Sequence, residues 1–404
     1  MEENEHGEVI EEVQTTELKA AKLSEAELRA ELERIKAEAE QNKSKNNVGK
    51  IILIVVIVIA LTTLGVFGIM AMRDAMGSKN KDKGTSNSAA TGTAVSGQAI
   101  NLNEYSDDVS ITTGGEYVLA GEISHSVMID SAEDVVLKLN GVNIAAEQTA
   151  AIASVGRGAL TIEIVEDTEN TLTDGGESDY DGCIFSAGPL TINGMGALNV
   201  YGRQTEGEGI ATESNSMTIN GGIIYVESAD DGLNAGGDGG TININEGIKT
   251  NKAGGDGIDS NKDLVINGGT VYVMGSAAGG NAGIDTDGGY TINGGRVTAL
   301  GSDMLEAPLQ TSKQNVVVLS LNSAINSGAA IALVDDSGKE VLSFIAQESF
   351  RTLILSTPEI VNGTYQLRVD GATVTIDGAT SFTVNSTITT VGSSMMGGPG
   401  GMMR

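Results

Sequence analysis

Hydrophobic residues follow three different patterns along this chain, and each pattern predicts a different kind of structure. Residues 51–72 form an uninterrupted apolar stretch without a charged residue, which is long enough to cross a bilayer as a helix. Before this stretch, Leu28, Leu32 and Ile35 recur at helical spacing and predict a short polar helix. From residue 101 onward, short runs alternate apolar and polar residues, which is typical of β-strands.

These patterns divide the chain into six segments. The polar N-terminal segment is expected in the cytoplasm, either as a solvated helix or as the binding site of a protein partner. We interpret the apolar stretch as a membrane-spanning helix rather than a cleaved signal peptide, because a long polar sequence precedes it. The predicted order is a cytoplasmic segment at 1–49, a transmembrane helix at 50–72, a flexible linker at 73–100, a parallel β-helix at 101–314, a C-terminal β-rich segment or cap at 315–390 and a Met/Gly tail at 391–404.

Two short phrases alternate through the middle of the chain, and both recur every 22 to 27 residues. A repeated unit of this size, with short strands and no helical stretch, predicts an all-β fold. We expect a right-handed parallel β-helix in which each turn, or rung, packs on the next. One phrase holds an isoleucine followed by asparagine, at Ile192, Ile219, Ile244, Ile266 and Ile292, and the other holds a glycine followed by an apolar residue, at Cys183, Ile210, Leu233, Ile258 and Ile284.

Stacking of the rungs turns each recurring position into a column. The two apolar positions predict two buried columns, and Cys183 is therefore expected to be a buried apolar residue rather than a reactive thiol. The asparagines of the first phrase predict a structural ladder of amide side chains that hydrogen-bond from rung to rung. Its members are Asn193, Asn220, Asn245, Asn267 and Asn293.

Acidic residues recur beside the second phrase, where stacking would bring them together. Neighbouring rungs lie about 4.8 Å apart, so a column of carboxylates is unfavourable unless something compensates its charge. Calcium is suited to this role, because it accepts about six to eight oxygen ligands in flexible geometry. A solvated acidic edge with raised pKa values is the alternative. The predicted calcium ligands are Asp231, Asp256, Asp259, Asp285, Asp287, Asn234 and Asn261.

Two tyrosines and three basic residues are the candidate contacts for a ligand. Tyr225 and Tyr272 occupy the same position in units two rungs apart and are expected on one exposed face, where they could stack on sugar rings. The alternative is that they are ordinary surface residues of a strand. Lys252, Lys262 and Arg296 could hold carboxylates of an acidic sugar at the rim.

Charge and composition narrow the classes of partner. The formal net charge is −30, and most of it lies after residue 100. A field of this sign repels nucleic acid and suits cations, or anions that cations bridge. His6 and His125 are isolated in the sequence, so the chain gives no support for a zinc site.

Several ordered motifs resemble a known bacterial family. They include ITTGGEYVLAGEIS, VVLKLNGVNI, TIEIVEDTENTLTDG and SFRTLILSTPEIVNGTYQLRVDG, and together with the repeats they extend over roughly residues 105–390. The sequence is similar to the cellulose- and pectin-binding right-handed β-helix proteins, usually named carbohydrate-binding domain-containing proteins. This resemblance implies a pectate-lyase-like fold, bound calcium, and binding of polygalacturonate or cellulose without established cleavage. It carries over Asp231, Asp256, Asp259, Asp285 and Asp287 as acids of the site, whereas Ala282 departs from the acidic pattern.

The sequence therefore predicts a single-pass protein of the cell membrane that binds polysaccharide. Basic residues flank both sides of the apolar stretch, so their count does not fix the orientation. We expect a cytoplasmic N-terminus and an extracellular C-terminal domain, because a large acidic domain of glycan-binding type follows the span. A polysaccharide lyase and a structural surface adhesin are the alternatives.

Overall fold

Short segments of alternating burial form nearly every element of the structure, which is a computed structural model. It describes residues 95–176, 180–213, 215–302 and 304–392, without the side chains of 248–251. In the segment Ala197–Tyr201, Leu198 and Val200 are buried while their neighbours are half-buried. This is the two-residue period of a strand with one face on a core.

The strands of the described part are numbered in chain order. The first eleven are β1 (Gln98–Asn101), β2 (Val109–Ile111), β3 (Gly115–Ile123), β4 (Val127–Ile129), β5 (Val135–Ala146), β6 (Ile152–Ser154), β7 (Leu160–Ile164), β8 (Glu169–Asp174), β9 (Ile184–Ser186), β10 (Leu190–Gly194) and β11 (Ala197–Tyr201). The next twelve are β12 (Ile210–Thr212), β13 (Met217–Ile219), β14 (Ile223–Ser228), β15 (Leu233–Ala235), β16 (Ile242–Ile244), β17 (Ile248–Ala253), β18 (Ile258–Ser260), β19 (Asp263–Ile266), β20 (Thr270–Met274), β21 (Ile284–Thr286), β22 (Gly289–Ile292) and β23 (Arg296–Gly301). The last eight are β24 (Val316–Ile325), β25 (Ala330–Asp335), β26 (Glu340–Ile345), β27 (Phe350–Ser356), β28 (Gly363–Val369), β29 (Ala372–Thr373), β30 (Phe382–Val384) and β31 (Ile388–Val391).

Strands up to β23 stack in three parallel columns around a common core. The first stack contains β7, β10, β13, β16, β19 and β22. The second stack contains β8, β11, β14, β17, β20 and β23. The third stack is an eight-stranded sheet of β2, β4, β6, β9, β12, β15, β18 and β21. The fold is therefore an all-β parallel solenoid, as predicted, and its right-handedness stays a prediction.

The register confirms the first apolar column. Ile192, Ile219, Ile244, Ile266 and Ile292 are successive partners in the first stack, and each is fully buried. Burying one such side chain stabilises the fold by about 1.5–3 kcal/mol. The hydrophobic interior therefore comes from one repeated position.

The second apolar column differs from the prediction at its first member. Ile184, not Cys183, is the strand partner of Ile210. In this rung, the column position lies two residues after the glycine, whereas in the following rungs it lies directly after the glycine. Gly182 adopts φ +143°, a backbone conformation that residues with a side chain rarely adopt. Cys183 is fully buried beside the column, as expected for an apolar residue.

The asparagine ladder is present along the first stack. Each asparagine amide donates to the side-chain oxygen of the asparagine one rung earlier, at 2.9, 2.8, 2.8 and 2.9 Å from Asn220 to Asn293. Two residues after each of the last four asparagines, a glycine takes a positive φ between 80° and 94°. This turn requires glycine, so the recurring phrase encodes both a ladder and a turn.

The C-terminal segment both continues the large sheet and forms a cap. β27 pairs antiparallel with β23 on one side and with β24 on the other, so it covers the last parallel rung. Strands β25, β26, β28, β29 and β30 form a second, antiparallel sheet. Leu333, Tyr365 and Leu367 lie in an apolar core that also includes Met274 and Leu300 of the last rungs. We call residues 316–391 the C-terminal cap. It belongs to the same compact unit as the β-helix.

The predicted cytoplasmic helix and transmembrane helix lie outside the described residues, as do most of the linker and the tail. Within the described ranges, no helix combines the length and the apolar character needed to cross a membrane. The helical element described there is the single 3₁₀ turn Leu102–Glu104.

Candidate functional site

The third stack brings polar side chains into one outward-facing column. Asn234, Asp259 and Asp285 are successive partners at the centres of β15, β18 and β21. Their strand neighbours point inward, so these three side chains point outward and are half-buried. The structure thus brings together the three predicted ligands that the sequence placed in one column.

A second set of acids lies in the turns that lead into these strands. The backbone N–H of Asp256 donates to Asp231 Oδ1 at 2.7 Å. In the next rung, the N–H of Ala282 donates to Asp256 Oδ1. Each carboxylate therefore fixes the turn of the rung that follows it. Ala282, the departure from the acidic pattern, still supplies this N–H.

Asn234 connects the two sets. Its amide donates to Glu208 Oε1 and, at 3.3 Å, to Asp231 Oδ2. A Cβ added at Gly255 would collide with the carboxylates of Asp230 and Asp231. The glycine before Asp256 is thus needed for this close approach.

Asn261 and Asp287 lie just after β18 and β21. Both side chains are exposed, and their backbone N–H groups donate across the stack to Ala235 O and Ser260 O, each at 3.0 Å. They stand at the rim of the acidic row. Their positions fit the prediction, while their role as ligands stays a prediction.

Two acids of the site were absent from the predicted ligand set. Glu208 shares the turn position of Asp231 and is buried, and its place in the repeat could have identified it. Glu306 is also buried and accepts a 2.6 Å hydrogen bond from Thr286 Oγ1. It lies beyond the last repeated phrase, so no spacing signal pointed to it.

We call Glu208, Asp231, Asp256, Asp259, Asp285, Asp287 and Glu306 the acidic face. Burial raises the pKa of several of its carboxyls, and neighbouring carboxylates raise them further. The pKa values are about 9 for Glu208, about 8 for Asp256, about 7 for Asp259 and Glu306, and about 6 for Asp231. The pKa of Asp285 is also raised, by burial first and by the charge of Asp287. The acidic face therefore holds protons near neutral pH unless a cation replaces them.

The donor chemistry of the acidic face fits a hard cation, but only part of a coordination sphere is present. Carboxylate and amide oxygens are the ligands that calcium prefers. Among the described residues, however, no three His, Cys, Asp or Glu side chains converge as a metal-binding group.

The two tyrosines share one column but not one environment. Tyr225, residue 250, Tyr272 and Thr298 are successive partners in the second stack, as predicted. The Tyr225 ring lies 6.0 Å from Tyr201, and its hydroxyl donates to Glu227. The expected exposure is wrong for both tyrosines, because each is half-buried, and the C-terminal cap packs against the ring of Tyr272.

Contacts from the cap account for the burial of Tyr272. Its ring packs edge-on against Phe344, with 5.6 Å between the ring centroids. Its hydroxyl donates to Ile345 O at 3.1 Å. The two tyrosines therefore do not form an exposed pair: Tyr225 packs against Tyr201, and Tyr272 packs against Phe344.

The three predicted basic contacts are separated in the structure. Lys252 forms ion pairs of 3.5 Å with Glu227 and 3.1 Å with Glu348. Lys262 is exposed in the turn after β18, beside Asn261 at the rim of the acidic face. Arg296 begins β23 in the second stack and interacts with Glu359 through its charge. Only Lys262 adjoins the acidic face.

Three comparisons relate this chain to known proteins. The model of a family described as carbohydrate-binding domain-containing protein matches residues 105–390. A carbohydrate-binding domain-containing protein of Acetivibrio thermocellus is 30% identical over 132 residues, which are 30% of this chain and 45% of that relative. The match thus spans less than half of that protein's length. A solved polysaccharide lyase-like protein from C. thermocellum, a gadolinium derivative, has a TM-score of 0.39 and 24% identity, covering 50% of this chain and 93% of its own.

Proposed function

The chain belongs to the carbohydrate-binding domain-containing protein family, and from that premise we propose that its acidic face binds an acidic polysaccharide in the presence of calcium. Polygalacturonate is the polymer class that best suits such a face. The protein would be displayed outside the cell on the membrane helix expected at 50–72. Binding of cellulose by contacts that do not use calcium is the second form of the proposal.

The observation that carries the proposal is the fixed row of carboxyls on neighbouring rungs. Asp259 and Asp285 are direct partners in adjacent strands, so the backbone sets their separation at about 4.8 Å. A polyuronate also presents carboxylates at regular intervals, and direct contact between two anions is repulsive. Calcium, when bound, would supply positive charge between the two rows. Asp259 and Asp285 would hold it from the protein side, with Asp287 at the rim.

Binding is favoured over cleavage by the state of Lys252, one of the candidate bases. A lyase needs a base that removes a proton from the sugar ring. The hydrogen bond with Glu348 raises the pKa of Lys252, which keeps this side chain protonated. The acids of the face can hold and orient a polymer through hydrogen bonds and charge, and this suffices for a binding module.

The test is retention on polygalacturonate, with calcium or with EDTA, at fixed ionic strength. Wild-type protein is expected to bind only with calcium. The double variant Asp259→Asn and Asp285→Asn should lose most of that binding. Asp336→Asn is the matched control, because this exposed acid lies in the cap. Equal retention after calcium removal, or an unaffected double variant, would refute calcium bridging. Binding to cellulose alone would support the second form, and binding to neither polymer would leave the adhesin.

A further inference from the structure

A cleft between the β-helix and the C-terminal cap is distinct from the acidic face. Two hollows of about 320 and 300 Å³ both reach Ala277. One wall comes from the rungs, through Ser228, Ser276 and Ser302, and the other from the cap, through Ser323 and Ser349. Binding sites often form where two structural units meet, and about 300–1,000 Å³ is their usual volume.

The lining of this cleft is small and hydroxylated. Phe350 is the largest apolar side chain along it, and only 1% of that residue is exposed. A peptide groove would offer apolar pockets or a free sheet edge as anchors, and the residues lining the two hollows offer serines instead. Hydroxyl groups both donate and accept hydrogen bonds, as the groups of a sugar do. Ser228 and Ser302 already donate to Asp230 O and Asn281 O, and their oxygens can still accept from a ligand.

Three charged side chains form an array at one end of the cleft. Lys252 lies between Glu227 and Glu348, at 3.5 and 3.1 Å. Between 33% and 43% of each side chain is exposed, so a ligand can reach all three. The order of groups is acceptor, donor, acceptor. Neighbouring hydroxyls of a sugar ring can donate to the two carboxylates and accept from the ammonium group.

The charges of the cleft favour a neutral ligand. Lys252 and Arg351 line the hollows together with Glu227 and Glu348, so positive and negative groups balance. The Arg351 Nε–H also donates to Leu321 O at 3.0 Å, which fixes this side chain to the cap. An acidic glycan would find no excess of positive charge here, within a chain whose net charge is −30.

We propose that this cleft is a second saccharide site, which binds a neutral oligosaccharide without calcium. It rests on the second form of the proposed function, calcium-free binding of cellulose, and gives that form a site separate from the acidic face. The cap then has a binding role in addition to covering the last rung, because it supplies Glu348 and Arg351.

The experiment is a calorimetric titration of the full chain in detergent with cellopentaose, in the presence of EDTA. Wild-type protein is expected to bind. Ala277→Trp places a large ring where the two hollows meet and should weaken binding by about tenfold or more, a change of at least 1.4 kcal/mol. Ala278→Trp is the matched control, because this neighbouring residue is exposed and lines neither hollow. Its affinity should stay close to that of the wild type.

Two further measurements separate the site from folding and from the acidic face. Thermal unfolding should be alike for the two tryptophan variants, and Lys252→Met should weaken cellopentaose binding without filling the cleft. Calcium-dependent retention on polygalacturonate should persist in Ala277→Trp. The proposal is overturned if wild-type protein does not bind cellopentaose with EDTA, or if Ala277→Trp binds it as tightly as Ala278→Trp. A joint loss of both saccharide activities in Ala277→Trp would also overturn it, since the two sites would then be one.

Discussion

Replacing Asp256 and Asp259 by asparagine is expected to stabilise the calcium-free protein near pH 8 and to weaken its response to calcium. Their pKa values rise from 3.8 to about 8 and about 7. One pKa unit corresponds to about 1.4 kcal/mol, which sets upper limits of about 6 and 4 kcal/mol for the cost of the two charges. Both carboxyls contact solvent, and repulsion between carboxylates contributes to both pKa shifts, so adding the two limits counts it twice. The combined gain in the free energy of unfolding is therefore about 3 kcal/mol. For a domain of this size, that gain raises the melting temperature by about 6 °C.

The pH dependence follows from the direction of these shifts. The folded state holds protons on the acidic face more tightly than the unfolded chain does, because the folded pKa values are raised. The stabilisation is therefore complete only below the unfolded pKa values of about 4 and is lost as the pH rises from there through the folded pKa values of about 6 to 9, those of Asp231, Asp259, Asp256 and Glu208. Calcium should restore stability at the upper end of this range, by about 2.7 kcal/mol at a hundredfold excess over its Kd.

The assay is differential scanning calorimetry of the full chain at about pH 5 and about pH 8, with EDTA or with calcium. The linkage between protonation and folding predicts that raising the pH lowers the melting temperature in EDTA and that calcium raises it again. The double variant should show a smaller loss of melting temperature between the two pH values than the wild type. Asp336→Asn, in the cap, should behave as the wild type does. If the double variant melts at or below the wild-type temperature at the higher pH with EDTA, the carboxylates do not repel one another as argued. An identical wild-type melting curve in calcium and in EDTA would exclude stabilisation by the ion.

Three other properties can be tested directly. Asn245→Ala removes two hydrogen bonds of the asparagine ladder and should reduce the free energy of unfolding by about 1–2 kcal/mol in chemical denaturation. Asn243→Ala, on the same strand, should change this free energy little. Equal effects of the two variants would show that the ladder does not stabilise the fold. Cys183 is fully buried and its pKa is raised by burial, so a thiol reagent should label it only in denaturant, and rapid labelling of native protein would contradict this. Protease treatment of intact cells should remove residues 101–404, while protection of that domain would contradict extracellular display.

Much of the fold follows from spacing alone. The register of a parallel stack is set by which residues can be buried, and a slip by one residue would turn Ile219 or Ile244 toward solvent. Aligning the repeated phrases therefore gave the partners in the first stack correctly. The same alignment placed Asn234, Asp259 and Asp285 in one column, because they follow a buried residue of each rung.

The remaining features depend on information that the repeats do not contain. The entry of the rung at Cys183 is displaced by one residue through the conformation of Gly182, and a phrase alignment assumes equal turns. Tyr272 is covered by Phe344 and Ile345, which lie more than seventy positions later in a segment without repeats. Glu306 enters the acidic face from beyond the last phrase for the same reason. Long-range packing of unrepeated sequence thus decides which predicted residues are accessible.

The antiparallel strand β27 has a consequence for self-assembly. A solenoid whose first and last rungs both expose a free edge could add copies head to tail and grow into a fibre. Here β27 runs antiparallel to β23, so the second stack cannot pass from β23 directly into a parallel strand of another copy, and β24 and β31 extend the sheet beyond it. Within the described residues, β1 pairs only with β3 and β2 only with β4, which leaves edges at the opposite end. In the second stack, the cap thus replaces direct head-to-tail continuation of the parallel rungs with an antiparallel strand.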